Sequence, residues 1–335
     1  MPDIILPINH QQSSHCETGV VSTLLQSKGI AMTEPMAFGL ASALTFAYLP
    51  FVKISGMPLI AYRMPPKSII KKVCKKLNIT LESRKFSNPE AGMQALDDEL
   101  AQGNLVGLQS SVYWLPYFPE DMRFHFNAHN LIVYGKTAGG EYLISDPVFE
   151  HPVTCAYDDL KNARFAKGAL AAKGLMYVIR DTPANVEIAQ VIKPAIKKTA
   201  KMMNGLVLPY FGLKGIHHMA KQIRKLDKKS TKYTRLYLAH IVRMQEEIGT
   251  GGAGFRFMFA SFLEQAAAIT NTPALNQCAQ HTTEVGDLWR EFAMQAVKYC
   301  KKRSDISLAD IATKLEQVAA KEAELSKLLQ LAIKS

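Results

Sequence analysis

The alternation of apolar and polar positions first becomes regular after a polar run, 9–15, that ends at a cysteine. Beyond Cys16, apolar residues recur at helical spacing and define one face of a helix. These residues are Val20, Val21, Leu24 and Leu25. Ser14 is a suitable N-cap, and Gly29 is a suitable helix end. The pattern therefore predicts a helix that begins at Cys16 and ends before Gly29.

The rest of the first half mixes helical and strand patterns. Helical spacing and capping residues predict helices over 33–50, 66–77 and 88–102 and a short helix from Asp158. Alternation and short apolar runs predict strands over 51–62 (broken by Gly56 and Pro58), 80–86, 106–112, 130–135, 141–145 and 175–179. A tight turn at 137–140 joins two of these strands into a hairpin. Helices followed by antiparallel strands are typical of an α+β fold.

The strand patterns stop near Pro183. Residues 185–335 show helical spacing throughout and end in a long amphipathic helix over 307–333. A chain of 335 residues exceeds the usual size of one domain. We therefore predict a mixed α+β domain over 1–182 and an all-helical domain over 183–335.

Composition excludes several classes of protein. Five cysteines are scattered without any C-x-x-C pair, which argues against a disulfide framework and against zinc. The N-terminus lacks the basic and apolar regions of a signal peptide, and no apolar run is long enough to span a membrane. We expect a soluble protein of a reducing cytoplasm, with no membrane span, no bound metal and no bound cofactor.

The net charge of +11 is unevenly distributed. Residues 1–182 carry 17 Lys/Arg against 16 Asp/Glu, whereas residues 183–335 carry 23 against 13. Between Lys193 and Arg243, 13 basic residues face one acid, Asp227. Such a basic block attracts acidic or phosphate-rich partners, although it is also compatible with an ordinary solvated surface.

Three residues have the positions that nucleophilic cysteine chemistry requires. Cys16 lies at a predicted helix N-terminus, where free N–H groups and the helix dipole favour the thiolate. His129 immediately precedes one strand of the predicted hairpin, and Asp146 immediately follows the other. With the turn centred near 138–139, the two are diagonal neighbours at the open end of the hairpin. We predict Cys16 as nucleophile, His129 as base and Asp146 as orienting residue; the alternative is a structural cysteine.

The same segments carry a resemblance to a known family. They are His15–Gly19, Thr33–Gly39, Asn127–Asn130 and Ser145–Pro147. Together they resemble the N-terminal domain of the butirosin biosynthesis protein H family, which is related to papain-like bacteriocin-processing peptidases. The helical half, with its segment 248–256, resembles the helical domain that often accompanies it. The resemblance implies a papain-like catalytic domain and acyl transfer from an acyl carrier protein thioester to an amine, with the three residues in the roles given above.

Other residues are candidates for substrate contacts. The related peptidases place an oxyanion glutamine a few residues before the cysteine, and Gln11 and Gln12 lie at about that offset. Glu17, Glu34 and Arg256 are candidates for binding substrate. Their alternative interpretations are helix-start residues for the two glutamates and a surface ion pair for Arg256.

Several further features also have two interpretations each. His10 and His125 either join the site or are merely hydrogen-bonded or exposed. The Gly249–Gly254 loop is either a phosphate cradle or a helix break. The aromatic loop at 113–118 either lines an acyl channel or closes a core.

These patterns favour a cysteine acyltransferase that uses a carrier-protein thioester as donor and an amine or hydroxyl compound as acceptor. The phosphopantetheine arm would arrive as part of the donor, and the acidic carrier protein would dock on the basic helical domain. A thioesterase or peptidase with the same three residues is the first alternative. Nucleic-acid or phospholipid binding through the basic block is the second, although nucleic acid is not expected because no such motif is present. The sequence leaves the oligomeric state open, with a homo-oligomer as one alternative.

Overall fold

The computed structural model describes residues 2–54, 56–204, 208–303 and 305–334. The chain folds into two compact units. Unit 1 consists of Met1–Ala37 and Pro66–Val186, and unit 2 of Phe38–Pro65 and Glu187–Ser335. The predicted division after residue 182 places 38–65 in the first domain, whereas these residues cluster with the second unit.

Unit 1 is built on an antiparallel sheet. Its strands are β1 (Ile4–Ile5), β4 (Thr80–Arg84), β5 (Val106–Ser110), β6 (His129–Lys136), β7 (Tyr142–Ser145), β8 (Val153–Cys155) and β9 (Met176–Asp181). The strand order is β4-β9-β5-β6-β7-β8, with β1 also paired to β6. The central position of β6 places the start of this strand, where His129 lies, inside the unit.

Helices cover this sheet. Those of unit 1 are α1 (Cys16–Gln26), α3 (Ile69–Lys76), α4 (Pro89–Ala101) and α5 (Tyr157–Phe165), and α2 (Glu34–Leu40) begins in unit 1 and ends in unit 2. Leu131 and Val133 of β6 belong to the same buried cluster as the apolar side chains of α4 and α5. Because side chains alternate along a strand, Asn130 and Ile132 project from the opposite face. Helix α1 also packs on β6.

The predicted helix over 33–50 is wrong beyond residue 40. Thr33 Oγ1 accepts a hydrogen bond from Met36 N, 3.2 Å, as expected of an N-cap. The helix ends where Ser42 adopts a left-handed φ of 51° and Ala43 N bonds to Phe38 O, 3.1 Å. Strand β2 (Leu44–Ile54) follows and pairs with β3 (Met57–Arg63). A short apolar run does not distinguish a helix from a buried strand, which explains the error.

Unit 2 is mostly helical. Its helices are α6 (Ile188–Met203), α7 (Gly212–Arg224), α8 (Thr231–Val242), α9 (Arg256–Thr270), α10 (Ala274–Cys300) and α11 (Leu308–Ala332). The β2–β3 hairpin belongs to this unit because its aromatic side chains enter the helical core. Phe46 and Tyr62 lie with ring centroids 5.7 Å and 5.4 Å from that of Trp289 on α10.

The observed architecture is the predicted α+β fold, with an antiparallel sheet and helices followed by a mostly helical region. The second unit differs from the all-helical prediction in containing the hairpin. Within the described residues, no helix combines the length and apolar character needed to cross a membrane.

Candidate active site

The first turn of α1 is fixed by the side chain that precedes it. His15 is the N-cap, with extended backbone angles (φ −137°, ψ 126°), and its Nδ1 accepts a hydrogen bond from Thr18 N, 3.3 Å. The sequence predicted Ser14, one residue earlier. An imidazole nitrogen can accept the same hydrogen bond as a serine hydroxyl, so either residue is chemically suitable. Cys16 is then the first helical residue and lies at the helix N-terminus, as predicted.

A carboxylate at the start of α2 also holds the entry to α1. Glu34 accepts hydrogen bonds from Ser14 N at 3.0 Å, His15 N at 2.7 Å and Thr18 Oγ1 at 2.9 Å. Burial raises the pKa of Glu34, and these hydrogen bonds only partly offset that effect. Both carboxylate oxygens are thus engaged by the protein. The contacts of Glu34 position the segment that leads to Cys16.

The hairpin brings His129 and Asp146 into contact. Ile132 of β6 pairs with Ser145 of β7, so His129 and Asp146 lie diagonally at the open end of the pair. The distance from His129 Nε2 to Asp146 Oδ2 is 2.7 Å, and both side chains are buried. Because Nε2 faces the carboxylate, Nδ1 is the ring nitrogen left to face Cys16. The predicted proximity of His129 and Asp146 is confirmed.

Asp146 is held by two further donors. Tyr117 donates its hydroxyl to Oδ2 at 2.9 Å, and Val148 N donates to Oδ1 at 3.0 Å. The adjacent Phe118 ring packs edge-on against the His129 ring, with centroids 5.4 Å apart. Part of the aromatic loop at 113–118 therefore closes the apolar side of the imidazole and anchors its carboxylate partner.

The electrostatic environment favours a protonated His129. Burial alone would lower the pKa of this imidazole, but the charge and hydrogen bond of Asp146, and then those of Cys16, raise it to about 10. The pairing of His129 with the Cys16 side chain places all three predicted residues in one cluster. An imidazolium beside a cysteine favours the thiolate, which is the reactive form.

A glycine allows α1 to approach the turn that follows Asp146. A Cβ on Gly19 would lie 2.7 Å from Ser13 Cβ and 2.8 Å from Pro147 Cβ, closer than real contacts allow. The same segments are joined by a hydrogen bond from Ser13 N to Pro147 O, 2.8 Å. Gly19 thus permits the close packing that brings Cys16 to the His129–Asp146 pair.

One neighbour of the sulfur was not among the predicted site residues. Asn130 Nδ2 lies 3.9 Å from Cys16 Sγ, and Tyr177 donates its hydroxyl to Asn130 Oδ1 at 3.0 Å. Asn130 directly follows His129, so its place in the sequence was a usable signal. Its contact with Tyr177 depends on the order of the strands in the sheet, which the sequence does not reveal.

The two candidate oxyanion glutamines lie in the polar lead-in to α1. Gln12 donates its side-chain amide to Val148 O at 3.0 Å, and Gln11 is exposed. Glu17 is fully buried, and its Oε1 accepts a hydrogen bond from Ile69 N at 2.8 Å, at the start of α3. Gln12 and Glu17 are therefore engaged in joining segments of unit 1.

Arg256 belongs to unit 2 and is fully buried, not at the surface as the ion-pair interpretation assumed. Its Nη2 lies 2.7 Å from Glu322 Oε1, and its guanidinium stacks over the Trp289 ring at 5.0 Å. The preceding Gly249–Gly254 loop separates helical segments, with positive φ at four glycines (249, 251, 252 and 254). This arrangement fits a helix break and a structural ion pair.

The other two candidate histidines, His10 and His125, lie in different surroundings. His10 bonds to Ser145 Oγ at 2.7 Å and to Phe149 O at 3.1 Å, which ties the N-terminal segment to the turn after β7. His125 is exposed and stacks on Tyr113, with ring centroids 4.1 Å apart.

The remaining cysteines have less reactive environments than Cys16. Burial raises the pKa of the thiols of Cys74 and Cys155 to about 12, and that of Cys278 to about 11. Burial also raises the pKa of Cys300. In the described part of the chain, no group of three or more His, Cys, Asp or Glu side chains could hold a metal ion. The chemistry available to the cluster is nucleophilic attack by sulfur with proton transfer through an imidazole.

Two models of known families match parts of the chain. Residues 15–147, which contain Cys16, His129 and Asp146, match the family model described as butirosin biosynthesis protein H, N-terminal. This model covers less than half of the chain, and it identifies residues 15–147 as a domain of that family. Residues 158–329, just over half of the chain, match the model of a domain of unknown function, DUF4872. The chain belongs to this DUF4872 family. No match was found among curated proteins. The match over residues 15–147 indicates a biosynthetic enzyme of the acyltransferase type.

Proposed function

We propose that the protein is a cysteine-dependent acyltransferase with a papain-like catalytic domain. It would move an acyl group from an acyl carrier protein thioester, through a Cys16 acyl-enzyme, to an amine or hydroxyl of a small biosynthetic intermediate. The observation that carries the proposal is the buried His129–Asp146 hydrogen bond of 2.7 Å, with the Cys16 side chain paired to the same imidazole. The family match supports the same class of reaction.

The first half-reaction transfers the acyl group to the enzyme. The Cys16 proton resides on His129, and the thiolate attacks the donor carbonyl carbon to form a new C–S bond. The C–S bond to the phosphopantetheine sulfur then breaks, and the leaving thiolate takes the proton from His129. One thioester replaces another, so this step is nearly neutral in free energy.

The second half-reaction regenerates the enzyme. The acceptor amine or hydroxyl gives its proton to His129 as its nitrogen or oxygen attacks the acyl carbon. The bond to Cys16 Sγ breaks, and the imidazolium again faces a thiolate. Asp146 keeps the imidazole in the orientation needed for both steps through its hydrogen bond with Nε2.

The donor partner is proposed on charge. Carrier proteins are acidic, and nine lysines of the basic block are exposed on unit 2: Lys197, Lys198, Lys201, Lys214, Lys221, Lys225, Lys228, Lys229 and Lys232. Arg224 within the same block pairs with Glu316 at 2.6 Å. The exposed lysines would attract an acidic carrier and its phosphopantetheine arm.

The test is to trap the acyl-enzyme. The wild-type protein is mixed with an acyl thioester, and the intact mass and peptide map are measured before and after addition of an amine. We expect one acyl group on Cys16 that disappears as the amide forms. The Cys16→Ala variant should be folded and inactive, and Cys300→Ala should behave as wild type. Turnover by folded Cys16→Ala would exclude the mechanism.

The same experiment separates transfer from hydrolysis. A thioesterase or peptidase would use the same three residues but release free acid even with amine present. Predominant acid at saturating amine would therefore favour the hydrolase alternative.

A further inference from the structure

The Asn130 side chain, like that of His129, lies near the Cys16 sulfur. Asn130 is buried, and its Nδ2 lies 3.9 Å from Cys16 Sγ. We propose that Asn130 donates a hydrogen bond that stabilises the Cys16 thiolate, and that Tyr177 is the positioning residue that holds the Asn130 amide toward the sulfur. The catalytic meaning of this contact rests on the proposed function, whereas its effect on the thiolate does not.

The orientation of the Asn130 amide is defined by its neighbours. The Ala128 carbonyl can only accept, and it lies 3.1 Å from Asn130 Nδ2. The Tyr177 hydroxyl donates to Oδ1 from the other side. Both contacts require the same orientation, with the NH₂ group near Ala128 and Cys16. One N–H is bound by the Ala128 carbonyl, and the second is directed to the sulfur.

The position of Tyr177 depends on a glycine in the neighbouring strand. Tyr177 of β9 pairs with Gly107 of β5, and a Cβ on Gly107 would overlap the Tyr177 ring. Without that Cβ, the ring can lie across β5 and reach Asn130 on β6. Burial raises the pKa of Tyr177 well above its ordinary value, so the hydroxyl remains protonated and able to donate.

The expected effect follows from hydrogen bonding to an anion. A thiolate that accepts an N–H is favoured over the neutral thiol, so loss of the donor raises the thiol pKa. Removing one charge-assisted hydrogen bond should raise it by about one unit. At a pH below the thiol pKa, the alkylation rate would then fall about tenfold.

The experiment measures the rate of Cys16 alkylation by iodoacetamide from pH 4 to pH 10, with intact mass and peptide mapping to confirm the site. Four proteins are compared: wild type, Asn130→Ala, Tyr177→Phe and Asn127→Ala. We expect the midpoint of the profile to rise by about one unit in Asn130→Ala and by less in Tyr177→Phe. Asn127→Ala is the matched control, because the Asn127 amide donates to Lys167 O and Ala169 O. It should leave the midpoint unchanged.

An unchanged midpoint in folded Asn130→Ala and Tyr177→Phe would overturn the proposal. An equal shift in Asn127→Ala would also overturn it, because that result indicates general loosening of the site. If circular dichroism shows that Asn130→Ala is unfolded, Tyr177→Phe decides, since it removes only a hydroxyl. Alkylation needs no acyl donor. An Asn130-dependent profile without an acyl-enzyme would therefore refute acyl transfer and retain this proposal.

Discussion

At the scale of single residues, Asp146 has three hydrogen-bond donors and no exposed surface. His129, Tyr117 and Val148 N together engage both of its oxygens. In the interior, these three donors replace the hydrogen bonds that water would make to a carboxylate. Its charge is in turn what keeps the buried His129 protonated, so the thiolate of the proposed mechanism depends on groups that do not touch it.

The two partners of this pair should differ in their effect on turnover. We expect His129→Ala to lower kcat by about 10³-fold, because a general base contributes roughly 10² to 10⁴. Asp146→Asn should lower kcat less, because His129 remains and only its charge and orientation are affected. His125→Ala is the control, because His125 is exposed and stacks on Tyr113. The measurement is steady-state kinetics of each variant with one thioester. An inactive His125→Ala together with an active His129→Ala would assign the role of base to His125 instead.

The raised pKa of His129 also predicts how stability depends on pH. The folded-state pKa is about 10, against an ordinary value of 6.5, so the native state binds this proton more tightly than the unfolded chain. The resulting stabilisation is complete below about pH 6.5 and is lost as the pH rises through the folded pKa.

Urea unfolding at pH 6, 8 and 10 measures this loss. Cys16→Ala should be compared with the double variant Cys16→Ala/His129→Gln. This background removes the titration of the thiol and its contribution to the His129 pKa, and it keeps Asp146, the larger of the causes that raise it. The free energy of unfolding should fall more steeply with pH when His129 is present. Parallel pH profiles for the two proteins would contradict the raised pKa.

At the scale of elements, the site is formed where helix α1 meets the turn after β7. Gly19 has only a hydrogen where other residues carry Cβ, and Ser13 and Pro147 leave no room there for a carbon atom. Gly19→Ala must therefore shift α1 away from the Asp146 turn. Overpacking of this kind costs about 1–3 kcal/mol, and small displacements of a nucleophile reduce rate strongly.

We expect Gly19→Ala to lower both kcat and the urea midpoint. Gly139→Ala is a matched control, because its new Cβ would meet only Thr137 Oγ1, at 3.6 Å. Urea unfolding and turnover of both variants provide the measurement. Wild-type activity in Gly19→Ala would show that the approach of α1 is not required.

The local parts of this arrangement could be predicted from the sequence. The proximity of His129 and Asp146 follows from a hairpin whose register is determined by its turn, and the N-terminal place of Cys16 follows from helical spacing. The contact of Tyr177 with Asn130 spans three strands that are distant in sequence. The sheet order β9-β5-β6 that creates it is determined by packing.

The assignment of residues 38–65 illustrates the same limit. Their apolar run gives no preference between helix and strand, and their place in unit 2 depends on the fit of Phe46 and Tyr62 against Trp289. That fit involves residues more than 200 positions away in the sequence.

At the scale of the whole molecule, the two units differ in charge. Unit 2 contains 25 Lys/Arg and 13 Asp/Glu, whereas unit 1 contains 15 and 16. The whole net positive charge therefore belongs to the unit that lacks Cys16, His129 and Asp146. In a catalytic protein, such a separation fits recruitment of an acidic macromolecular donor better than recognition of a small neutral substrate.

Charge reversal on unit 2 should test this recruitment. We expect Lys221→Glu/Lys225→Glu to raise KM for a carrier-bound donor about fivefold at low ionic strength, because exposed interface charges act mainly through the association rate. The kcat and KM for a small acyl thioester should not change. Lys28→Glu/Lys301→Glu, at exposed lysines outside the block, changes the net charge equally and serves as the control.

The salt concentration is the second variable of the same measurement. At physiological ionic strength the Debye length is about 8 Å, so the difference between the two double variants should shrink as salt is added. Equal effects on carrier-bound and small donors would place the defect in the catalytic steps. Equal effects of the two double variants would show that the change in KM depends only on net charge. Either outcome would remove the docking role from the basic block and leave the acyl-enzyme chemistry of Cys16 to be judged separately.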